Sequence, residues 1–347
     1  MTVYFADFDL TTGSNNGSSW ANAFQSMQAA HDGISGPGDV VLCKGTDSIT
    51  STVSITKAGN YSSGAIRFIG VGSSYTDSDP ENGAAAGANN RAVIDGEGRA
   101  ISLITPSNSA HLWILENFEL KRAGSSGTTY HGFNYAANQC NRWIIINCLV
   151  HHCYGSGFNS DLLLNGWVWI GSAIYSCYRG MTNIRACRFI GCRIENNTQY
   201  GVYSYAMEDF IGCLIRNNGA YGVYNYDDKT FLFNVIDGNT GDGVRTSYMG
   251  FSPQMIIGCR ITNNGGYGIN NMLSTARAWV FGTYLDNNAS GALGGYLIDK
   301  MTYLGQQTVV EDGSDTDQGY ADRSGGDFNL RSDATLRRFA INIPAAI

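Results

Sequence analysis

The sequence predicts an all-β chain wound as a parallel β-solenoid, with a short helix covering its first coil. Three observations predict it. A motif returns every 20 to 25 residues through the middle of the chain, apolar residues recur two apart within each copy, and an asparagine or cysteine closes each copy at a fixed offset. A period in this range decides the architecture before local propensity does.

Residues 1–46 are expected to form an N-terminal cap. It reads as a strand near Val3, a Gly/Ser/Asn loop, a helix from about Trp20 to His31 and, after Pro37-Gly-Asp, a strand from Val40 to Cys43. Trp20, Phe24 and Met27 fall four and three apart, an apolar helix face suited to closing an otherwise open sheet end. Residues 47–300 are expected to form the solenoid. Between Gly70 and Asn90 a run of Ser, Asp, Gly and Ala reads as a loop pushed out of one coil, the kind of insertion that often lines a binding face.

The clearest copies are Phe189-Ile-Gly-Cys-Arg-Ile-Glu-Asn-Asn-Thr-Gln-Tyr-Gly-Val and Phe210-Ile-Gly-Cys-Leu-Ile-Arg-Asn-Asn-Gly-Ala-Tyr-Gly-Val. Anchored on the cysteine, the copies run Cys148, Ser172, Cys192, Cys213, Asn234, Cys259 and Thr283, with separations of 24, 20, 21, 21, 25 and 24. Two positions on stand Val150, Ile174, Ile194, Ile215, Ile236, Ile261 and Leu285; five on stand Cys153, Cys177, Asn197, Asn218, Asn239, Asn264 and Asn288. Side chains alternate along a strand, so an anchor and the apolar residue two later share a face. Each copy thus reads as a short strand, an asparagine corner, and a Tyr-Gly-Val segment opening another strand. So few residues bury no hydrophobic face alone, but coils stacked roughly 4.8 Å apart share one core.

Asparagines stacked at a bend tolerate left-handed backbone angles and bond one another along the stack, so Asn197, Asn218, Asn239, Asn264 and Asn288 read as a structural ladder. Cys148, Cys192, Cys213 and Cys259 read as small core hydrophobes. A leucine-rich repeat offers a similar anchor-x-Ile-x-x-Asn string. It fails at the next apolar position, which is Gln199, Ala220 or Gly266, and no leucine-bearing helical half follows.

On these residues the chain resembles the right-handed parallel β-helix superfamily, the pectate-lyase-like fold, from about Val40 to Ile298. Val93-Ile-Asp-Gly-Glu-Gly is similar to an early coil of that family, and the Ser-Ser-Trp, short helix, Pro-Gly-Asp-Val order is similar to its start. The resemblance implies a right-handed solenoid and leaves activity open, because one fold hosts many functions. After Ile298 the period is lost, and residues 301–347 are expected to form a C-terminal cap and tail. Asp312 to Asp327 reads as irregular, and Phe328-Asn-Leu and Ala334 onward as apolar chain docking on the last coil.

Composition excludes several classes. The 347 residues carry a net charge of −7, against a diffuse basic nucleic-acid surface. No run of about 18 apolar residues offers a transmembrane helix, and Met1-Thr-Val-Tyr-Phe-Ala-Asp is not a secretory signal as written. The nine cysteines follow the repeat and read as reduced, packed thiols rather than a disulfide framework.

Candidate chemistry rests on carboxylates in register. Three positions after the anchor stand His151, Tyr175, Glu195, Arg216, Asp237, Thr262 and Asp286. Glu195 and Asp237 lie two coils apart, roughly 9 to 10 Å, which suits an inverting glycosidase pair, although a Glu-Arg-Asp column is also a plain ion-pair ladder. Glu208-Asp209 and Asp227-Asp228 read as acidic turns before successive coils, and Asp315-Thr-Asp317 as a fragment of a calcium loop lacking its terminal glutamate, so calcium is only weakly supported and no other cofactor is expected. His151-His152-Cys153 does not read as a metal site, because adjacent strand residues point to opposite faces. Tyr203 with Tyr224 and Tyr205 with Tyr226 stack on neighbouring coils; facing outward, they would make an interface for a subunit or a sugar polymer, or a wall that only stabilises the solenoid.

The functional expectation is a non-enzymatic structural protein of a viral particle, such as a bacteriophage decoration, surface or tail protein. It would sit on the virion surface as a homo-oligomer, a trimer, contacting other virion proteins and no nucleic acid or membrane. Resemblance to phage β-helices supplies part of that expectation. The alternatives are a polysaccharide lyase or glycoside hydrolase acting outside the cell, using Glu195 and Asp237, or a carbohydrate-binding solenoid without turnover.

Overall fold

The computed structural model describes residues 1–72, 91–107, 109–135, 142–160, 166–206, 208–226, 229–247, 254–272 and 278–295, and beyond them the short strands Val309–Val310, Tyr320–Asp322 and Asp327–Leu330. The chain is a right-handed parallel β-solenoid of about nine turns. Three parallel sheets of 11, 10 and 11 strands run along it. One coil shows the plan. Arg188–Ile190 lies in the first sheet, Arg193–Glu195 in the second and Val202–Ala206 in the third, and Glu208–Ile211 then opens the next coil beside Arg188–Ile190.

The repeat implied strands flanking one asparagine corner; the structure has three strands and two tight corners. Each corner turns on a single residue at positive φ. Those residues stand just before the anchor, as at Gly191 (60°), Gly212 (61°) and Phe233 (56°), and just before the ladder position, as at Asn196 (56°), Asn217 (53°) and Asn263 (56°). The left-handed conformation therefore belongs to the residue ahead of the ladder asparagine, not to the ladder asparagine itself. The anchor likewise sits in the first corner, one residue before the strand, with its side chain inward. Glycine and asparagine recur there because they enter this region at least cost.

The second corner carries the ladder. Asn197 donates through its backbone N and Nδ2 to Asn218 Oδ1 at 3.2 and 2.9 Å, and the same pair of bonds joins Asn218 to Asn239 (3.1 and 2.9 Å), Asn239 to Asn264 (3.1 and 2.9 Å) and Asn264 to Asn288 (3.1 and 2.8 Å). Gly201 makes room for it. A Cβ there would stand 2.6 Å from the Gly222 carbonyl oxygen and 2.7 Å from Asn218 Nδ2, which accounts for the glycine of Tyr-Gly-Val.

The interior is built of columns. Ile194, Ile215, Ile236 and Ile261 are fully buried, Phe189, Phe210 and Phe231 stack at 5.0 and 5.2 Å between ring centroids, and Trp113, Trp143 and Trp167 stack at 5.4 and 4.9 Å. The buried indole N–H groups of Trp113 and Trp143 donate to the Lys57 and Ala110 carbonyls, both at 2.7 Å, so neither polar edge is stranded. The eight described cysteines are free and buried, and burial pushes the Cys148 and Cys187 thiols up to about 12.

At the N-terminus, Val3–Asp7 pairs with Val40–Lys44 and extends the first sheet. The helix expected over Trp20–His31 is split. Trp20–Asn22 is one 3₁₀ turn and the α-helix is Met27–Gly33. Two local preferences divide it: Phe24 bridges Ala6, with Phe24 N donating to the Phe5 carbonyl at 2.9 Å, and the Ser26 hydroxyl caps the helix by accepting from Ala29 N at 3.1 Å. Phe24, Met27 and Ala30 still close the core, while Trp20 packs on Phe5 at the surface. The loop expected between Gly70 and Asn90 lies mostly outside the described residues. Asp227-Asp228, Asp315-Thr-Asp317 and the tail from Ala334 lie wholly outside them.

Candidate functional site

Three-residue strands of the second sheet bury their middle residue and turn the flanking pair outward. This puts Glu195, Arg216 and Asp237 in register on the outer face, with Tyr175, His151 and Lys121 continuing the column. Each carboxylate is engaged. Glu195 accepts from Arg216 Nε at 2.7 Å and lies 3.6 Å from Arg193; Asp237 Oδ1 accepts from Thr262 Oγ1 at 2.6 Å and from Asn263 Nδ2 at 2.5 Å. Glu195 is 7% exposed and Asp237 8%, so little of either is presented to a substrate.

Further along this face the two histidines meet. The left-handed backbone of His152 (φ 53°) swings its ring beside that of His151, bringing their Nδ1 atoms to 2.6 Å, contrary to the opposite faces expected of adjacent strand residues. Cys153 nevertheless points inward, and His151 Nε2 faces Glu119 Oε1 at 3.1 Å. Burial holds the His151 imidazole below its ordinary pKa despite Glu119. Among the described residues no group of three His, Cys, Asp or Glu side chains is arranged to hold a metal ion.

The acidic turn read at Glu208-Asp209 is instead strand. Glu208 is fully buried and paired with fully buried Lys229 in the next coil, and Asp209 takes Arg188 at 3.0 Å. The visible copies of the motif open at the phenylalanine, whereas the strand begins two residues earlier, at Glu208.

The outer face of the third sheet is different in character. A cavity of about 330 Å³ opens there over the strands Phe133–Tyr135, Ser156–Ser160 and Arg179–Arg185, lined by Thr128, Thr129, His131, Asn134, Ser156, Asn159, Tyr178, Arg179, Thr182 and Asn183. Its size falls in the range of ligand sites. Asn134, Asn159 and Thr182 are register partners in successive coils. They are tied together: Asn159 Nδ2 donates to Asn134 Oδ1 (3.0 Å), and Thr182 Oγ1 donates to Asn159 Oδ1 (2.9 Å). With the Thr182 proton so committed, Ser156 Oγ donates to Thr182 Oγ1 (2.6 Å). Ser156 N donates to His131 Nδ1 at 2.9 Å, so the neutral ring carries its proton on Nε2. Arg179 is oriented by Gln199 Oε1 at 2.8 Å and lies over Tyr178 and Tyr200 at 5.3 and 5.6 Å.

Thr182 pairs with Tyr203, and Tyr203 with Tyr224, so the cavity runs directly into the tyrosine columns. Val202 and Val223 point inward and Tyr203 and Tyr224 outward, as the alternation predicts, but the rings are half-buried because they cover one another. Tyr203 stacks on Tyr224 at 5.3 Å, Tyr205 on Tyr226 at 5.1 Å and Tyr200 on Tyr221 at 5.7 Å; Arg245 covers Tyr221 at 4.7 Å and Arg185 covers Tyr205 at 5.4 Å. The faces are spent internally, leaving edges and hydroxyls outward. Tyr203 O–H reaches Tyr226 at 3.2 Å, and burial, reinforced by the Tyr226 and Tyr205 hydroxyls, holds its phenol well above the ordinary value.

The sequence pattern led to the tyrosines but not to the cavity. A signal was present: Gly132-Phe133-Asn134 and Gly157-Phe158-Asn159 repeat one string a coil apart, with asparagine at the outward position later taken by Thr182 and Tyr203.

No family model and no curated protein matches this chain. Solved structures do. Pectate lyase Pel9A superposes with a TM-score of 0.66 at 17% identity, covering 96% of this chain and 90% of that one. The Azotobacter vinelandii mannuronan C-5 epimerase AlgE6 A-module gives 0.57 at 14% identity, covering 84% and 78%. Geobacillus virus E2 ORF18 gives 0.50 at 16% identity, covering 84% of this chain and 59% of that one. The architecture is thus the pectate-lyase-like right-handed parallel β-helix.

Proposed function

We propose that this chain is a non-enzymatic β-helix protein that binds a polysaccharide on the outer face of its third sheet, displayed on a viral particle or another extracellular surface. The observation that carries the reading is the cavity lining. Among the described residues, amides, hydroxyls, one histidine and one arginine converge there without a carboxylate, and lead along one register column into the tyrosines. Sugar hydroxyls need paired donors and acceptors held in place, and the Asn134–Asn159–Thr182 chain is a preorganised row of both. General acid–base hydrolysis needs two carboxylates facing a shared space. Glu195 and Asp237 instead face their own partners on the second sheet.

The similar structures include proteins named for pectate and mannuronan and a protein of a virus, which supports a polysaccharide ligand and a virion or extracellular setting. Glycan-array binding, a depolymerisation screen and light scattering on one preparation test the proposal. The expected result is retention of at least one polysaccharide without cleavage, by an oligomer. Arg179→Met and Thr182→Val should each weaken binding about tenfold, the loss of roughly one good hydrogen bond, while Glu195→Ala and Asp237→Ala leave it unchanged. Oligosaccharide release abolished by Glu195→Ala would replace this reading with the hydrolase one, and undiminished binding by both cavity variants would remove the cavity as the site.

A further inference from the structure

The interior corner between the third and first sheets changes character along the solenoid. The tryptophan stack of Trp113, Trp143 and Trp167 gives way to Cys187 and then to Glu208, Lys229 and Gln254, all buried. Side chains span this corner in successive coils. Ser204 Oγ donates to Glu208 Oε2 at 3.0 Å, and two coils on Thr246 Oγ1 donates to Gln254 Oε1 at 3.2 Å. Asn225 is the register partner of both Ser204 and Thr246, and Lys229 is that of Glu208. In the middle coil, therefore, the residues facing each other across the corner are Asn225 and Lys229.

This pair behaves unlike its neighbours. Glu208 and Asn225 are 0% exposed and Lys229 3%. Lys229 Nζ contacts Glu208 Oε2, the oxygen that also holds Ser204. Among the described residues, neither Nδ2 nor Oδ1 of Asn225 has a hydrogen-bond partner, and Glu208 Oε1 is likewise unpartnered. A buried amide left without partners is costly, so its presence asks for a purpose other than hydrogen bonding. Burial strips the Lys229 ammonium of solvent and drives its pKa well below the ordinary range, a shift toward the free amine, which is the nucleophilic form.

We infer that Lys229 and Asn225 are joined by an intramolecular isopeptide bond, with Glu208 moving the protons. The Nζ lone pair adds to Asn225 Cγ. Glu208 takes a proton from Nζ and passes one to the departing amide nitrogen, the Cγ–Nδ2 bond breaks, and ammonia leaves as the Nζ–Cγ amide forms. Nothing is oxidised or reduced and no further reactant enters. The enclosed geometry supplies the proximity that makes amide exchange feasible without an external enzyme. The product ties the third sheet to the first across a single corner, closing the short turn between Asn225 and Lys229 covalently.

Intact mass spectrometry of the denatured full-length chain tests this. The expected mass is that of the sequence less one ammonia, and trypsin should fail to cut after Lys229, leaving Asn217 to Arg245 as one peptide lighter by the same amount. Lys229→Met and Asn225→Ser, the latter copying the preceding coil, should each restore the full sequence mass. Glu208→Gln, which keeps both reacting groups, should lower the cross-linked fraction at least tenfold. The wild-type chain decides the matter even where a variant does not fold. Full sequence mass with ordinary cleavage after Lys229 overturns the inference, and a deficit of one water with Lys229 bound to Glu208 overturns the assignment to Asn225.

Discussion

Replacing Asn218 by alanine removes four hydrogen bonds from the middle of the ladder. Its Oδ1 accepts from Asn197 N and Asn197 Nδ2, and its Nδ2 donates to Asn239 Oδ1 and to the Ile194 carbonyl. Asn239 Oδ1 keeps a donor, because Asn218 N still reaches it at 3.1 Å. The two Asn197 donors keep nothing in the ladder above them. At about 1 to 3 kcal/mol for each buried group left unmade, the cost is about 2 to 6 kcal/mol. Solenoid energetics are local, so the damage should concentrate in the coils holding Asn197 and Asn218. Urea unfolding measures the total and amide hydrogen exchange locates it, with the Asn197 amide losing protection first. Asn217→Gly is the control, since Asn217 is exposed at φ 53° and glycine accepts that conformation freely; it should lie within about 0.5 kcal/mol of wild type. A loss below about 1 kcal/mol for Asn218→Ala, with Asn197 protection unchanged, would refute the ladder as a source of stability.

The two glycine classes should separate. Gly191→Ala faces open space at φ 60° and should cost about 1 to 2 kcal/mol, whereas Gly201→Ala drives a Cβ against the Gly222 carbonyl 2.6 Å away and should cost more, read by thermal unfolding of both. Trp143→Leu opens a gap between Trp113 and Trp167 and strands the Ala110 carbonyl, for a loss of about 3 kcal/mol by denaturant titration. Burial raises the Asp95 carboxyl, but the Arg122 hydrogen bond, the Glu97 amide and the charges of Arg122 and Lys121 outweigh it, so its folded value lies below the ordinary one. Its stabilising contribution is accordingly present above the unfolded pKa and lost as pH falls through the folded one; Arg122→Ala should bring the NMR-observed Asp95 titration to higher pH, and an unmoved titration would contradict the assignment.

Side chains that repeat from coil to coil were legible in the sequence, inward or outward; those that do not repeat were not. Ile194, Ile215 and Ile236 announce the coil because each must fill the same interior slot, and Asn197, Asn218 and Asn239 because each must bond its neighbour. The tyrosines were visible for the same reason. The cavity was not, because Asn134, Asn159 and Thr182 share a column without sharing a residue type, and only strand register brings them together. Splitting of the N-terminal helix also escaped the apolar spacing, which the Phe24 bridge and the Ser26 cap override.

Glu208 and Lys229 show what that blindness costs. Read along the chain, Glu208-Asp209 is an acidic turn; read across coils, Glu208 stands beside Lys229 and its neighbour Asp209 beside Thr230, one pair inside and the other out. Alternation alone separates them. A buried acid beside a buried base is an expensive way to gain stability, since apolar residues of similar volume usually do as well. Charge placed there needs a chemical or positional use, and the near-identical copies at Phe189 and Phe210 leave apolar packing little power to tell one coil from the next. A lysine that meets Glu208 only when the coils stack in order would mark the correct register, and joining it covalently to Asn225, four residues earlier in the same coil, would fix the corner that presents it.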